Sequence, residues 1–332
     1  MHAGSLKKPA DAEAAIASAL RTVVIEQSGL SALAEALDNG LAGPFARAVS
    51  LLSNIQGRVI VTGVGKSGHI GSKIAATLAS TGTPAFFVHP AEANHGDLGM
   101  ITRSDVVLAM SWSGESAELK GIVAYSRRFA IPLIALTSGE GSSLSRDADV
   151  VLTLPKVAEA CPHGLAPTTS ALLQLAIGDA LAIALLEARG FTPDDFRGFH
   201  PAGKLGATLT HLSEIMRTGE DIPFVAVGTK MPDAVMELSN KKVGCVVIVD
   251  AEGRLAGIIT DGDVARNLHR NLKDVCVEEV MTRTPKTVEP SMSAGAAIAY
   301  LNENKIGALV VVDDDKPVGV VHFHDLLRIG AA

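Results

Sequence analysis

The stretch from Arg58 to Glu118 constrains the fold most, because it sets two Gly/Ser-rich turns directly behind two apolar runs. The first reads Val59-Ile60-Val61-Thr62, then Gly63-Val64-Gly65-Lys66-Ser67-Gly68, then a helical run through Ile74, Leu78 and Ala79. The second reads Val106-Val107-Leu108-Ala109-Met110, then Ser111-Trp112-Ser113-Gly114-Glu115-Ser116. A strand, a small-residue turn and a helix aim free backbone N–H groups at an anion. Two such turns in one sheet suit one phosphate held between them.

The same alternation continues along the chain. The residue pattern predicts strands over 59–62, 85–88, 105–110, 132–137 and 150–154. Helices are predicted over 11–37, 45–52, 68–80, 117–128 and 169–189. Strands separated by helices imply an α/β, doubly wound parallel sheet covered on both faces. Ligands of such sheets sit beyond the carboxyl ends of the strands, where both turns lie.

Composition closes off several functions. A net charge of −7 without a basic run argues against nucleic acid as a partner, and one Trp with two Tyr leaves little to stack bases on. Cys161, Cys245 and Cys276 have neither zinc nor disulfide-framework spacing, which suits a reduced, cytoplasmic protein. Residues 1–12 lack the apolar core of a signal peptide. The most membrane-like segment, 171–186, is short for a span and carries Gln174 and Asp179, so it reads as a buried helix and no membrane partner is expected.

From about His211 the chain repeats itself. Glu214-Ile215-Met216 is answered by Glu279-Val280-Met281, Gly244 to Asp250 by Gly307 to Asp313, and Gly257 to Asp263 by Gly319 to Asp325. Each copy reads as strand, helix, two strands, helix, and neither is long enough to bury much alone. The division is therefore 1–207, 208–272 and 273–332. Asp263 and Asp325 recur at matching positions, where they suit either ribose hydroxyls or helix caps.

Two familiar phosphate motifs fail on inspection. Gly63-x-Gly65-x-x-Gly68 matches a dinucleotide fingerprint, but the second strand ends in Val88-His89-Pro90 without the acidic residue that would hold a ribose. Gly65-Lys66-Ser67 lacks the earlier glycine of an ATP-type loop, since Ile60 stands there. A small phosphorylated ligand remains, with Ser111, Ser113, Ser116, Ser67 and Lys66 offering donors; one serine alone would be explained as a helix cap. Ionisable residues crowd the same loops: Lys66, His89, Glu92, His95, Asp97, Glu115 and Glu118, then Glu159, His163 and His200. Aldose–ketose interconversion needs such a set: one group carries a proton between C1 and C2, and another steadies the oxygens of an enediol. His89 and His95, with Asp97 or Glu92, are also metal-ligand types, but their spacing fits no standard zinc site.

Gly63-Val-Gly-Lys-Ser-Gly68, Phe87-Val-His-Pro90, His95-Gly-Asp-Leu-Gly-Met100, Ser111-x-Ser-Gly-Glu-Ser116 and His200-Pro-Ala-Gly203 together resemble a sugar isomerase (SIS) domain of flavodoxin-like fold. More narrowly, they resemble the arabinose-5-phosphate isomerases of Kdo synthesis for lipopolysaccharide and capsule. The repeated tail is similar to a tandem cystathionine-β-synthase (CBS) pair, and the likeness runs from about residue 15 to the C-terminus. It implies reversible conversion of D-ribulose 5-phosphate to D-arabinose 5-phosphate in a homotetramer. Carried over by motif, the catalytic positions are Lys66, Glu118, Glu159 and His200. Substrate contacts would be Gly82, Thr83, His89, His95 and the segment Pro155-Lys156-Val157, with His89 also a candidate zinc ligand. No cofactor is expected to be required, and zinc is expected to inhibit. Trp112 stands where the family usually has Asn, and Ala202 where it usually has Gly, so Trp112 is expected to narrow the pocket. The competing readings are an isomerase of another sugar phosphate and a non-catalytic sugar-phosphate sensor. For the CBS pair, a nucleotide or nucleotide-sugar effector competes with a packing role.

Overall fold

Two helices rich in small apolar residues lead into the sheet. The computed structural model describes residues 11–200 and 203–331; most of the polar N-terminal stretch, and Ala202 with its neighbour Pro201, lie outside them. The described chain forms two compact units, ending and beginning at Thr192 and Pro193.

In the first unit, α1 (Ala12–Asp38) and α2 (Ala42–Ser53) precede β1 (Val59–Gly63), α3 (Gly65–Ser80) and β2 (Ala85–Phe87). The short α4 (Pro90–Ala93), β3 (Val106–Met110), α5 (Lys120–Phe129) and β4 (Leu133–Thr137) follow, then α6 (Ser143–Asp147), β5 (Val150–Thr153) and α7 (Thr169–Ala188). The strands pair in the order β2-β1-β3-β4-β5, all parallel, as the alternation predicts. Side chains alternate across the sheet because the strand period is two residues. Val59, Val61, Leu108 and Leu136 meet α2, α3 and α7 on one face, while Ile60, Val107, Ala109 and Leu133 meet α5 on the other. Chain order reverses between β1 and β3, which makes that point the natural binding crevice.

The long apolar helix α7 has the length and composition of a membrane span, yet Leu173, Ile177, Leu181 and Leu185 are fully buried in the core beside the sheet. Burying each such side chain stabilises by about 1.5–3 kcal/mol, which is ample reason for a helix this apolar in a packed protein.

The second unit opens with α8 (Pro193–Phe199), α9 (Gly203–Leu209) and α10 (Leu212–Ile215). The first repeat follows as β6 (Phe224–Ala226), α11 (Met231–Lys241), β7 (Cys245–Val249), β8 (Leu255–Thr260) and α12 (Asp261–Asn267). The second is β9 (Thr287–Val288), α13 (Ala294–Asn304), β10 (Ala308–Asp313), β11 (Lys316–His322) and α14 (Phe323–Arg328). Each copy forms its own three-stranded sheet, β6-β7-β8 and β11-β10-β9. The copies share a core in which Cys245, Val247 and Ile258 meet Val310 and Val320, so each covers the other's apolar face. The segments ahead of the two copies are exchanged. Arg217, ahead of the first, bridges to Val320 of β11, while Thr282, ahead of the second, bridges to Ile258 of β8.

Candidate active site

Parallel pairing fixes the two turns side by side. Gly63 at the end of β1 is in register with Met110 at the end of β3, so the Gly63–Gly68 and Ser111–Ser116 turns leave adjacent strands at one edge. The approach is close enough to require glycine: a Cβ on Gly63 would lie 3.1 Å from the Met110 carbonyl oxygen, and one on Gly68 would lie 2.7 Å from the Gly63 carbonyl oxygen. No side chain caps α3, which leaves its first N–H groups and its positive dipole end facing outward beside Lys66 and Ser67.

The serine turn is internally braced. The Ser111 and Ser116 hydroxyls lie 2.9 Å apart, and the Gly114 N–H donates to Ser111 Oγ at 3.1 Å. The Glu115 N–H donates to Ser113 Oγ at 3.2 Å. Glu115 itself turns away from the site and accepts from the Ser143 N–H and hydroxyl at 2.8 and 2.7 Å, bonds that hold its carboxyl below the ordinary value. It therefore anchors the turn to α6.

Glu159 sits in the loop between β5 and α7, and its Oε2 caps that helix. The Thr168 N–H and hydroxyl donate to Oε2 at 2.7 and 2.9 Å, and the Ser170 N–H at 3.3 Å. Partial burial would raise this carboxyl, but the hydrogen bonds from Ser170 and Thr168 outweigh it and hold it below its ordinary value. Helices α3 and α7 run in the same direction. Lys73 pairs with Asp179, a Cβ on Gly178 would meet Ile74, and Arg189 donates to the Gly82 carbonyl at 2.8 Å. Both helices start at the carboxyl edge of the sheet, α3 directly after β1 and α7 after the loop that follows β5. Glu159 thus belongs to the edge that carries both turns. Lys66 and Glu118 are exposed there, and neither has an ionic or hydrogen-bonded partner among the described residues.

The remaining expected positions divide. His89 follows β2 at this same edge and caps α4, with the Ala91 N–H donating to its Nδ1 at 3.3 Å and leaving Nε2 outward. His95 is exposed just beyond that helix. Pro155-Lys156-Val157 follows β5, again at this edge. Gly82 and Thr83 do not join them: they precede β2, at the amino edge, so one copy of the unit does not bring them to the turns. There the Phe191 ring covers Gly82, and Thr83 is fully buried with its hydroxyl bonded by Arg189. His200 lies in the second unit, after α8, stacked on Phe196 at 3.9 Å with Nδ1 3.0 Å from the Phe196 carbonyl oxygen. Trp112 is half-buried and packs against the core beneath α3 and α7, as does Val157. Among the described residues no three His, Cys, Asp or Glu side chains converge to hold a metal.

A third polar turn escapes the sequence reading. Thr137, Ser138 and Ser142 follow β4 and brace the serine turn: the Ser138 N–H donates to the Trp112 carbonyl at 3.0 Å, and Ser142 lies against Gly114. The signal was Thr137-Ser138-Gly139 behind an apolar strand, the same pattern as at the other two turns. In the repeats, Asp263 and Asp325 are caps. Asp263 accepts from the Thr260 N–H at 2.8 Å and hydroxyl at 2.6 Å, and Asp325 from the His322 N–H at 3.1 Å.

Crevice and tail define the class first: residues 51–184 match the SIS domain, and 212–270 and 277–332 match the CBS domain. Arabinose 5-phosphate isomerase KdsD of Pseudomonas aeruginosa is 50% identical over 319 residues, covering 95% of this chain and 97% of its own. KdsD of Yersinia pestis is 48% identical over 309 residues, covering 92% of this chain and 93% of its own. This chain belongs to the arabinose 5-phosphate isomerase family. Among solved structures, c3406 of Escherichia coli CFT073, in complex with arabinose 5-phosphate, is 42% identical with a TM-score of 0.54, and the match covers 57% of this chain and 100% of that one.

Proposed function

We propose that this protein interconverts D-ribulose 5-phosphate and D-arabinose 5-phosphate, supplying arabinose 5-phosphate to Kdo for lipopolysaccharide or capsule. The observation that carries this reading is the pairing of Gly63 with Met110, which sets two Gly/Ser turns side by side at the sheet edge from which Lys66 and the Glu159 loop also leave. In this reading the phosphate rests on the α3 N-terminus and the serine turn. Glu159 Oε1, the oxygen not used in capping, takes the C1 proton of the ketose, giving an enediolate that Lys66 steadies. A proton moves between the C1 and C2 oxygens, and Glu159 returns its proton to C2. Glu118 is the second candidate carrier, favoured by its lack of a partner and by the low proton affinity of Glu159. His200 is proposed as the acid/base that opens the furanose ring, on the resemblance of its motif alone. No cofactor is needed for these steps, and zinc at His89 would inhibit.

A cytoplasmic location is part of the proposal, supported by three free cysteines. A homotetramer is proposed as well, and the exposed apolar stripe of Ile16, Leu20, Val23 and Val24 along α1 supports self-association. We further propose a nucleotide or nucleotide-sugar effector for the CBS pair. The decisive assay couples arabinose 5-phosphate formation from ribulose 5-phosphate to a detectable product, with and without chelator. Turnover restricted to hexose or heptose phosphates would refute the substrate, and complete absence of solvent deuterium at C2 of the aldose would refute the enediol route.

A further inference from the structure

Helix α8 carries His200 directly after its last residue, and it belongs to the second unit although it follows at once on the first. A helix of seven residues is marginal in water by itself, so what it packs on decides whether it forms and where it points. Two ion pairs tie it to the start of α10. Arg197 pairs with Glu214, and His211 Nε2 lies 3.0 Å from Asp194 Oδ1. Glu214 Oε1 also accepts the His211 N–H at 3.2 Å, so one carboxylate closes the start of α10 and receives α8.

The segment that holds α8 is itself fixed to the second repeat. The Leu212 N–H donates to the Met292 carbonyl at 2.9 Å, and the Ala294 N–H donates to the Thr210 carbonyl at 2.7 Å, both at the entry to α13. A Cβ on Gly295 would lie 3.2 Å from the Thr208 carbonyl oxygen, so the end of α9 sits close against α13. Contacts therefore run from α13 through α10 to α8. At the end of that line the His200 ring lies flat on Phe196, with centroids 3.9 Å apart and planes 9° from parallel. Its Nδ1 is 3.0 Å from the Phe196 carbonyl oxygen. A carbonyl only accepts, so Nδ1 holds the hydrogen and Nε2 is the atom left to exchange a proton.

We propose that α8 is a mount for His200 and that the CBS pair holds the mount. Phe196 sets the plane and tautomer of the imidazole, while the Arg197–Glu214 and His211–Asp194 pairs fix the helix that carries both. The proposal rests on the reading of His200 as the acid/base that opens the furanose ring. In that step the C1–O4 bond breaks as C1=O forms; neutral Nε2 takes the O1 proton, and the imidazolium returns a proton to O4. Phe196, Arg197, His211 and Glu214 are positioning residues that act through His200. The tail thereby has a part in turnover that needs no ligand.

An aldose that cannot form a ring separates this from a purely structural role. 4-Deoxy-D-arabinose 5-phosphate lacks the hydroxyl that closes the furanose, so its turnover needs no ring opening. Relative to wild type on each substrate, His200→Ala is expected to lose turnover of arabinose 5-phosphate and to keep that of the deoxy analogue. Arg197→Ala/His211→Ala removes both ion pairs. Each exposed pair shifts a docking equilibrium by a factor of about 1.4–5, so kcat/KM for arabinose 5-phosphate is expected to fall about 2- to 25-fold, with the deoxy analogue unchanged. Arg197→Lys/His211→Gln, which keeps a donor for each carboxylate, is expected to recover most of that loss. Phe196→Leu leaves both pairs in place and is expected to show the same selective loss, about 2- to 13-fold, the scale of one aromatic pair. It decides the matter if circular dichroism shows that the double variant does not fold. Equal losses on both aldoses, or unchanged arabinose 5-phosphate turnover in these variants beside an impaired His200→Ala, would overturn the mount and leave His200 in its role. Full turnover in His200→Ala would overturn both the inference and the reading of His200, leaving the isomerase assignment untouched.

Discussion

Replacing Glu159 by Gln separates a proton carrier from a helix cap, because the side chain is built to be both. Gln retains one amide oxygen that can take the place of Oε2, so the three donors at Thr168 and Ser170 keep an acceptor. What is lost is charge. Hydrogen bonds to a charged acceptor contribute about 1.5–3 kcal/mol against about 0.5–1.5 for neutral ones, and an anion at a helix start adds about 0.3–1 kcal/mol. Two short bonds at 2.7 and 2.9 Å therefore put the destabilisation at about 1–3 kcal/mol. In a unit of this size that lowers Tm by about 2–4 °C per kcal/mol. Loss of a general base costs about 10²- to 10⁴-fold in turnover. The expected result is a folded variant with a modestly lower Tm, arabinose 5-phosphate affinity near wild type by calorimetry, and kcat reduced a hundredfold or more (about the lower bound for a general base). A lowered Tm with near-normal kcat would show that Glu159 is a cap alone. The comparator Glu118→Gln should leave Tm unchanged, since Glu118 has no partner to lose among the described residues.

Three further outcomes follow from the same geometry. Gly114→Ala should lose about 2–5 kcal/mol in thermal unfolding, because φ is +73° and the added Cβ would lie 1.9 Å from Ser142 Oγ; a loss under about 1 kcal/mol would contradict the packing described. The carboxyls of Asp105 and Glu159 are both held low, since bonds from Thr102 and Arg58, and from Ser170 and Thr168, outweigh the opposing effect of burial. Their stabilisation is full above the ordinary values of 3.8 and 4.5 and is lost as pH falls through the lowered folded values, so Tm should drop steeply there and less so in Asp105→Asn. Iodoacetamide at neutral pH should label Cys161 first, because backbone N–H groups of Ala166 and His163 lower its thiol pKa, whereas Cys245, buried and pushed up to about 12, should react only on unfolding; early labelling of Cys245 in peptide mass maps would contradict its burial.

The five strands and the tandem repeat were legible because their signals are local: a β-branched run, then glycine or serine, then helical spacing. The edge that carries both turns was legible too, since the strand-to-helix direction of a parallel sheet decides it. Gly82 and Thr83 lie apart from the turns within one copy: motif likeness carries residues over without their place on the sheet, and they precede a strand where the others follow one. The capping role of Glu159 lay beyond sequence because its donors, Thr168 and Ser170, are brought to it by a loop closure. The exchange of Arg217 and Thr282 was equally hidden, as nothing in a repeat's own residues says which copy will pair with its leading segment.

That exchange sets the order of events as the chain is made. While only the first copy has left the ribosome, β8 lacks the backbone partner that Thr282 will bring, and Arg217 has no β11 to lie along. Neither half can reach its final form before the other is made, so the two copies must be completed as one act, and a chain stopped between them would carry a raw, sticky sheet margin.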